Sequence, residues 1–167
     1  IAKGKPMLNS PQFAREMKSG EEAAVDALLH AAFEGVAEAR LVAALRKSKT
    51  IAGEQVMPMG DRIVGYYALS YMVKPKGWLC LAPVAIAPDV QRRGYGKRMM
   101  GMVSEWSRIT KTPIVVLGNV AFYETAGFSR AGAANLTGPY AQDHTMVSGV
   151  TGAPAQTLVY PAPFDRL

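Results

Sequence analysis

One strand–turn–helix unit, residues 81–109, restricts the fold more than any other stretch. Leu81-Ala82-Pro83-Val84-Ala85-Ile86-Ala87 is short, apolar and β-branched at Val84 and Ile86, which predicts a buried strand. Pro88-Asp89-Val90 then turns the chain. Gln91-Arg92-Arg93-Gly94-Tyr95-Gly96-Lys97 follows, and Tyr95, Met99, Met102, Val103, Trp106 and Ile109 recur at helical spacing, predicting one apolar face on a long helix. Backbone N–H groups in the first turn of a helix have no partner inside it, and the helix dipole makes that end positive. Gly94 and Gly96 remove side chains that would hold a ligand away, while Arg92, Arg93 and Lys97 add charge around the same point. Such a turn is suited to a diphosphate.

Two nucleotide-binding patterns fit poorly. A Walker loop needs a lysine followed by Ser or Thr after its second glycine, and the chain has no such run. A dinucleotide fingerprint needs a third glycine where Met99 stands. The turn resembles instead the acyl-CoA signature of the GNAT superfamily of N-acetyltransferases, Gln/Arg-x-x-Gly-x-Gly/Ala, here Gln91 to Gly96 after Val84-Ala85-Ile86-Ala87-Pro88. A second block, Val115 to Phe128, is similar to the family's next strand, its Asn (Asn119), its Tyr (Tyr123) and its Gly-Phe ending. The short Asn-to-Tyr gap and the ending Leu158 to Phe164 are similar to the small bacterial YhbS-like branch.

That resemblance implies an α/β fold, a mixed and mostly antiparallel sheet of six or seven strands flanked by about four helices. It implies acetyl-CoA as cosubstrate and acetyl transfer to a primary amine by direct attack in a ternary complex. The implied acyl-CoA contacts are the backbone around Val84, Ala85 and Ile86, the turn residues Gln91, Arg92, Arg93, Gly94, Tyr95, Gly96 and Lys97, and Asn119 and Phe122. Tyr123 matches the family's general acid. A phenol near pKa 10 stays protonated at neutral pH and can give its proton to a departing thiolate. One of two adjacent aromatics must face away from the core, which assigns packing on the fifth strand to Phe122 and chemistry to Tyr123. Asn119 has a structural alternative as the cap of a short helix.

No general base is evident. Trp78 to Ala87 contains no carboxylate. Glu54 on the second strand reads as an exposed residue with a weaker claim to act through water, His30 as a packed or surface residue, and His144 as a solvated loop residue. Cys80 reads as a small core thiol, and no residues have metal-ligand spacing.

The 167 residues suit one domain, 1–167, in which residues 1–6, ahead of Met7, are read as an appended remnant. No apolar run approaches the ~20 residues of a membrane span, and a lone cysteine fits a reducing cytoplasm. The net charge of +6 allows an anionic ligand. A nucleic-acid-binding domain is disfavoured by the absence of basic–aromatic interleaving, although charged tRNA stays open as an acceptor beside small-molecule or peptide amines, as does a homodimer. A passive acyl-CoA-binding module is the first rival to an enzyme, given the missing strand-four carboxylate.

Along the chain, residues 13–17 predict a first strand, Ser19 caps a helix whose apolar face is Val25, Leu28, Leu29, Ala32 and Phe33, and a second helix carries Leu41, Val42 and Leu45. Residues 51–58 and 62–73 form a hairpin on Gly60-Asp61. Pro83 predicts a bulge or a local break in the strand opened by Trp78. Residues 114–117 predict a central strand, 119–126 a short helix, and 157–160 a last strand after a loop-rich tail.

Overall fold

The computed structural model describes residues 10–166; the expectation for residues 1–6 lies outside them. β1 (Arg15–Glu16) leads into α1 (Glu22–Phe33) and α2 (Ala37–Lys47), then β2 (Ile51–Met59), β3 (Arg62–Tyr71) and β4 (Leu79–Ile86). α3 (Tyr95–Thr110), β5 (Ile114–Leu117), α4 (Val120–Thr125), β6 (Leu136–Thr137), β7 (Thr145–Ser148) and β8 (Gln156–Thr157) follow. Six strands form the main sheet in the order β1-β2-β3-β4-β5-β7, antiparallel except for β4 with β5, and β6 and β8 form a small parallel pair. The mostly antiparallel α/β architecture is as expected.

Gly60, at φ 64°, opens the two-residue turn between Met59 and Arg62, which pair across the hairpin. A glycine in the first position accepts this positive φ and matches the turn to the twist of the strands. Of the bulge or break expected at Pro83, β4 has the bulge: Tyr67 pairs with Val84 and Leu69 with Leu81, so Ala82 and Pro83 oppose the single residue Ala68. The strand itself begins at Leu79, one residue after Trp78.

The structure departs from expectation in several places, one being the last strand, which is Gln156–Thr157 and not residues 157–160. Ser19 does not cap α1; Glu21 stands at the cap with no side-chain bond into the helix. Its carboxylate is taken by Arg15 at 2.7 Å and by the Lys18 N–H at 2.6 Å. Phe33 falls off the buried face of α1 and is exposed. On α3 the packed stripe is Met99, Met100, Val103, Ser104 and Ser107, while Met102, Trp106 and Ile109 are exposed. Two serines win the buried face because chain passes close there. Ser104 Oγ donates to Ala126 O at 2.6 Å, Ser107 Oγ donates to Thr112 O at 2.6 Å, and larger residues would hold these segments off. The tail, finally, is not all loop: Thr145–Ser148 is a buried edge strand paired with the whole of β5.

β5 divides the core. Its Ile114 and Val116 belong to a cluster with Met99, Met100 and Val103 of α3. Val115 and Leu117 face the opposite way, into a cluster with Leu41 and Leu45 of α2 and Tyr160 and Phe164.

Candidate active site

β4 and β5 run together for only two residue pairs, Leu79 with Ile114 and Cys80 with Val115, and then part. The bulge at Ala82–Pro83 sits where the pairing ends, and bulges bend a strand and increase its twist. Ala87 N–H donates to Val64 O on the β3 side at 2.8 Å. By strand alternation Ala85 also turns its polar groups to β3, whereas Val84 and Ile86 turn theirs into the fork. Of the three backbone candidates, then, Ala85 is engaged within the sheet and buried, and Val84 and Ile86 border the opening.

After a short turn at Pro88–Val90, α3 starts from Gly94. The first bond of the helix runs from Arg98 N–H to Gly94 O, so the N–H groups of Tyr95, Gly96 and Lys97 have no acceptor in the helix. Gly94 has φ 86° and Arg92 φ 63°, two left-handed residues around Arg93. Such alternation curls successive N–H groups into one anion-sized concavity. Gly94 thus answers a backbone demand as well as an approach demand, because a β-carbon at that φ is strained although the space around it is open.

The fork and the turn share a cavity of about 600 Å³. β4 contributes Val84 and Ile86, the turn contributes Val90, Gln91, Arg92 and Gly94, α3 contributes Gly96 and Lys97, and α4 contributes Phe122 and Tyr123. A β-carbon on Gly96 would come within 3.5 Å of both Ile86 and Phe122, so the glycine keeps the cavity floor open. Arg93 is exposed and does not line the cavity. Gln91 spends its amide on the end of β4, donating to Ile86 O at 2.8 Å. Tyr95 lies against Arg98, whose guanidinium is 5.1 Å from its ring centroid. Asn119 caps α4, its Oδ1 accepting from Phe122 N–H at 2.9 Å.

Phe122 and Tyr123 do not divide their labour as the sequence implied. Both are half-buried, both line the cavity, and their rings meet edge to face at 5.0 Å; Tyr123 meets Phe128 likewise at 5.8 Å. Burial pushes the Tyr123 phenol up to about 12. Gly118, which sequence reasoning passed over, makes room for that ring: a β-carbon there would stand 2.8 Å from Tyr123 Cε2. A glycine between an apolar strand and an aromatic-bearing helix was the available signal.

Glu54 is not the exposed strand residue that the sequence suggests. Its side chain is 12 % exposed and holds Arg46 at 2.8 Å and the Tyr66 hydroxyl, which donates to it at 2.6 Å. It pairs in β2 opposite Ala68 and does not line the Tyr123 cavity. His30 is a surface residue 3.4 Å from Asp26, and His144 is exposed. Cys80 is buried, and burial pushes its thiol up to about 12, which leaves it unreactive. Among the described residues no cluster of three His, Cys, Asp or Glu side chains can hold a metal, and no helix is long and apolar enough to cross a membrane.

The family described as Acetyltransferase (GNAT) domain matches residues 39–130, more than half of the chain. Among solved structures the chain is similar to the GNAT family N-acetyltransferase YhbS from Escherichia coli in complex with CoA, with 25% identity, TM-score 0.79 and coverage of 93% of this chain and 92% of that one. A GNAT family acetyltransferase from Brucella melitensis in complex with acetyl-CoA shares the fold at TM-score 0.76 and 23% identity, over 94% of this chain and 99% of that one. The ribosomal-protein-S18-alanine N-acetyltransferase from Escherichia coli shares it more distantly, at TM-score 0.59 and 12% identity, over 90% and 95%. No curated protein sequence matches. The strand fork, the glycine-bearing turn and the matched segment agree, and the chain belongs to the GNAT acetyltransferase family.

Proposed function

We propose that this protein transfers the acetyl group of acetyl-CoA to a primary amine by direct attack in a ternary complex. The observation that carries the reading is the continuity of one cavity from the N–H-rich turn at Arg92–Lys97 to the β4–β5 fork and the Tyr123 ring. The turn suits the CoA diphosphate, since free N–H groups, the helix dipole and the Arg92 and Lys97 cations converge there. Val84 and the Ile86 N–H offer the open edge of a strand to the amide groups of the pantetheine arm, the Ile86 carbonyl being held by Gln91, and Gly96 leaves room for the arm beside Ile86.

In the reaction the neutral amine nitrogen attacks the thioester carbonyl and a C–N bond forms. N–H groups at the fork stabilise the oxyanion. Collapse breaks the C–S bond; Tyr123 Oη gives its proton to the sulfur, and the proton lost by the amine nitrogen passes to water, from which the phenolate is reprotonated. No carboxylate or histidine lines the cavity to act as base, which supports water in that role. The same lining favours one rival, a domain that holds acyl-CoA without turning it over.

Calorimetry with acetyl-CoA and a CoA-release assay with mixed primary amines test the two together. Binding with turnover is the expected result. Binding with no turnover on any amine would leave the passive module, and absence of binding would refute both.

A further inference from the structure

Tyr123 stands on α4 with its backbone fully engaged. Its N–H donates to Asn119 O at 3.1 Å, and its carbonyl accepts from Ala126 N–H at 3.1 Å and Phe128 N–H at 3.0 Å. The hydroxyl is treated differently. Among the described residues none hydrogen-bonds to it, although the ring that carries it lines the cavity. Where the phenol points is therefore decided by what the ring packs on.

Three surfaces confine that ring. Phe122 and Phe128 meet it edge to face, with centroids 5.0 Å and 5.8 Å away. The third surface is the bare backbone of Gly118. From the place a β-carbon would take there, Tyr123 Cε2 is 2.8 Å away, Cδ2 3.4 Å and Cζ 3.8 Å. One whole edge of the ring, up to the carbon that bears the hydroxyl, thus lies along the glycine. Gly118 is itself tied down from the tail: Leu117 before it pairs with Thr145 of β7, and the Gly118 N–H donates to His144 O at 3.2 Å. A methyl at position 118 pushes the ring from 2.8 Å to the 3.4 Å of ordinary contact, a shift of about 0.6 Å at the edge that leads to the hydroxyl. Proton transfer needs donor and acceptor within hydrogen-bond reach, and a misplacement of about 1 Å can cost ~10²-fold in rate.

We propose that Gly118 is a positioning residue for the reaction: its missing side chain sets the Tyr123 hydroxyl where the departing thiolate is protonated. The proposal rests on the transferase reading above, with Tyr123 as proton donor, and adds the residue that aims the donor. It also gives the tail a part in the chemistry, since β7 and His144 hold the seat on which the ring rests. A purely structural role for this glycine would have a different source, its φ of 155°, at which a β-carbon is strained. The two roles separate in Tyr123→Phe, which keeps the ring, and with it the clash and the strain, and removes only the proton.

The test is a double-mutant cycle of Gly118→Ala and Tyr123→Phe, read as kcat per folded molecule in the CoA-release assay with benzylamine, spermidine and glycinamide. Gly118→Ala alone should lower kcat by about tenfold or more, with acetyl-CoA Kd changed by less than about threefold. In the Tyr123→Phe background the same alanine should change kcat by less than about twofold. Phe128→Leu frees the ring on another side and should lower kcat by about threefold when the hydroxyl is present and not when it is absent; this keeps the test decisive if the alanine disturbs folding. An equal fall in both backgrounds, or an unchanged kcat in Gly118→Ala and Phe128→Leu, overturns the positioning role and leaves Tyr123 as the acid. Near-full turnover by Tyr123→Phe alone overturns the acid and the positioning role together and leaves the transferase intact. Acetyl-CoA binding without turnover of any amine by the native protein takes all three down.

Discussion

The turn at residues 91–97 and the cluster of Arg46, Glu54 and Tyr66 both concentrate polar groups, and they dispose of them in opposite ways. In the cluster every strong group has a partner: Glu54 accepts from Arg46 Nε and a terminal nitrogen of the same guanidinium and from the Tyr66 hydroxyl, which is itself fully buried. In the turn the helix-start N–H groups have no acceptor within the helix, and the Arg92 and Lys97 side chains line an open cavity. Saturated hydrogen-bonding capacity locks elements together, here α2, β2 and β3. Open capacity that is held in place by glycine and a helix start is available to a ligand. The contrast separates structural charge from binding charge without reference to which residues are of the catalytic type.

The largest effect that can break this division belongs to Tyr123. Tyr123→Phe keeps the ring contacts with Phe122 and Phe128 and removes the proton. Loss of a general acid costs about 10²–10⁴-fold in rate, roughly 3–5 kcal/mol of barrier. Stopped-flow and steady-state kinetics should find that fall in kcat with acetyl-CoA Kd nearly unchanged. Since burial holds the phenol near 12, its deprotonation should not limit the native rate at any pH below about 10. Near-full turnover by the Phe protein would leave water as the acid.

Next comes the structural cluster. Glu54→Gln leaves Arg46 and Tyr66 without their anionic acceptor in a mostly buried setting, and should destabilise the fold by about 2–3 kcal/mol. Thermal unfolding should show a drop of about 4–12 °C. Residual turnover per folded molecule should be within a few-fold of native. A stable Glu54→Gln protein with kcat reduced by orders of magnitude would place Glu54 in the chemistry.

Gly96→Ala tests the open side at a smaller scale. The added methyl meets Ile86 and Phe122 at ordinary contact distance, so folding is retained, but it intrudes on the cavity floor. A loss of about tenfold in acetyl-CoA affinity, or ~1.4 kcal/mol, is expected by calorimetry with the melting temperature unchanged. Gly94→Val is a poorer probe, because φ 86° strains valine before any ligand arrives, and lost binding would not separate the two causes.

The smallest effect concerns acid stability. The hydrogen bond from Arg15, and then that from the Lys18 N–H, lower the Glu21 carboxyl to about 2 from an ordinary 4.5. A depressed carboxyl contributes its stability above 4.5 and loses it as pH falls toward 2. The pair is partly exposed, so the contribution is no more than about 1 kcal/mol. Glu21→Gln should flatten the native protein's acid-induced fall in melting temperature across that window; identical pH profiles would show that the pair contributes nothing.

What could be read in the sequence was local. The turn at Gly94–Lys97, the Gly60-Asp61 hairpin and the bulge at Pro83 each follow from residues a few positions apart, and the structure has all three elements. Glu54 was opaque because its partners, Arg46 and Tyr66, stand 8 and 12 positions away and meet only when α2 packs on the sheet. On α3 hydrophobicity alone favours Trp106 and Ile109 over Ser104 and Ser107 for the buried face, while the close approach of Ala126 and Thr112 decides for the serines. β7 was hidden for the same reason: Thr145 and Ser148 dilute its apolar pattern, yet all four of its residues are buried by pairing with β5.

The parting of β4 from β5 has a consequence for the protein when nothing occupies the fork. From Leu81 to Ile86 one margin of β4 lacks a β5 neighbour, a length of about 20 Å at ordinary strand rise. A bare margin of that length is adhesive, since any extended peptide can lie along it, including the same segment of another molecule. Two features discourage such templating: Pro83 cannot donate a hydrogen bond, and the irregularity at Ala82–Pro83 spoils the repeat that a foreign strand would need. Arg92 and Lys97 at the mouth repel a like-charged copy. A thioester arm with its own amides occupies this margin in the proposed complex, so the acyl-CoA-bound protein is also the form least prone to clump.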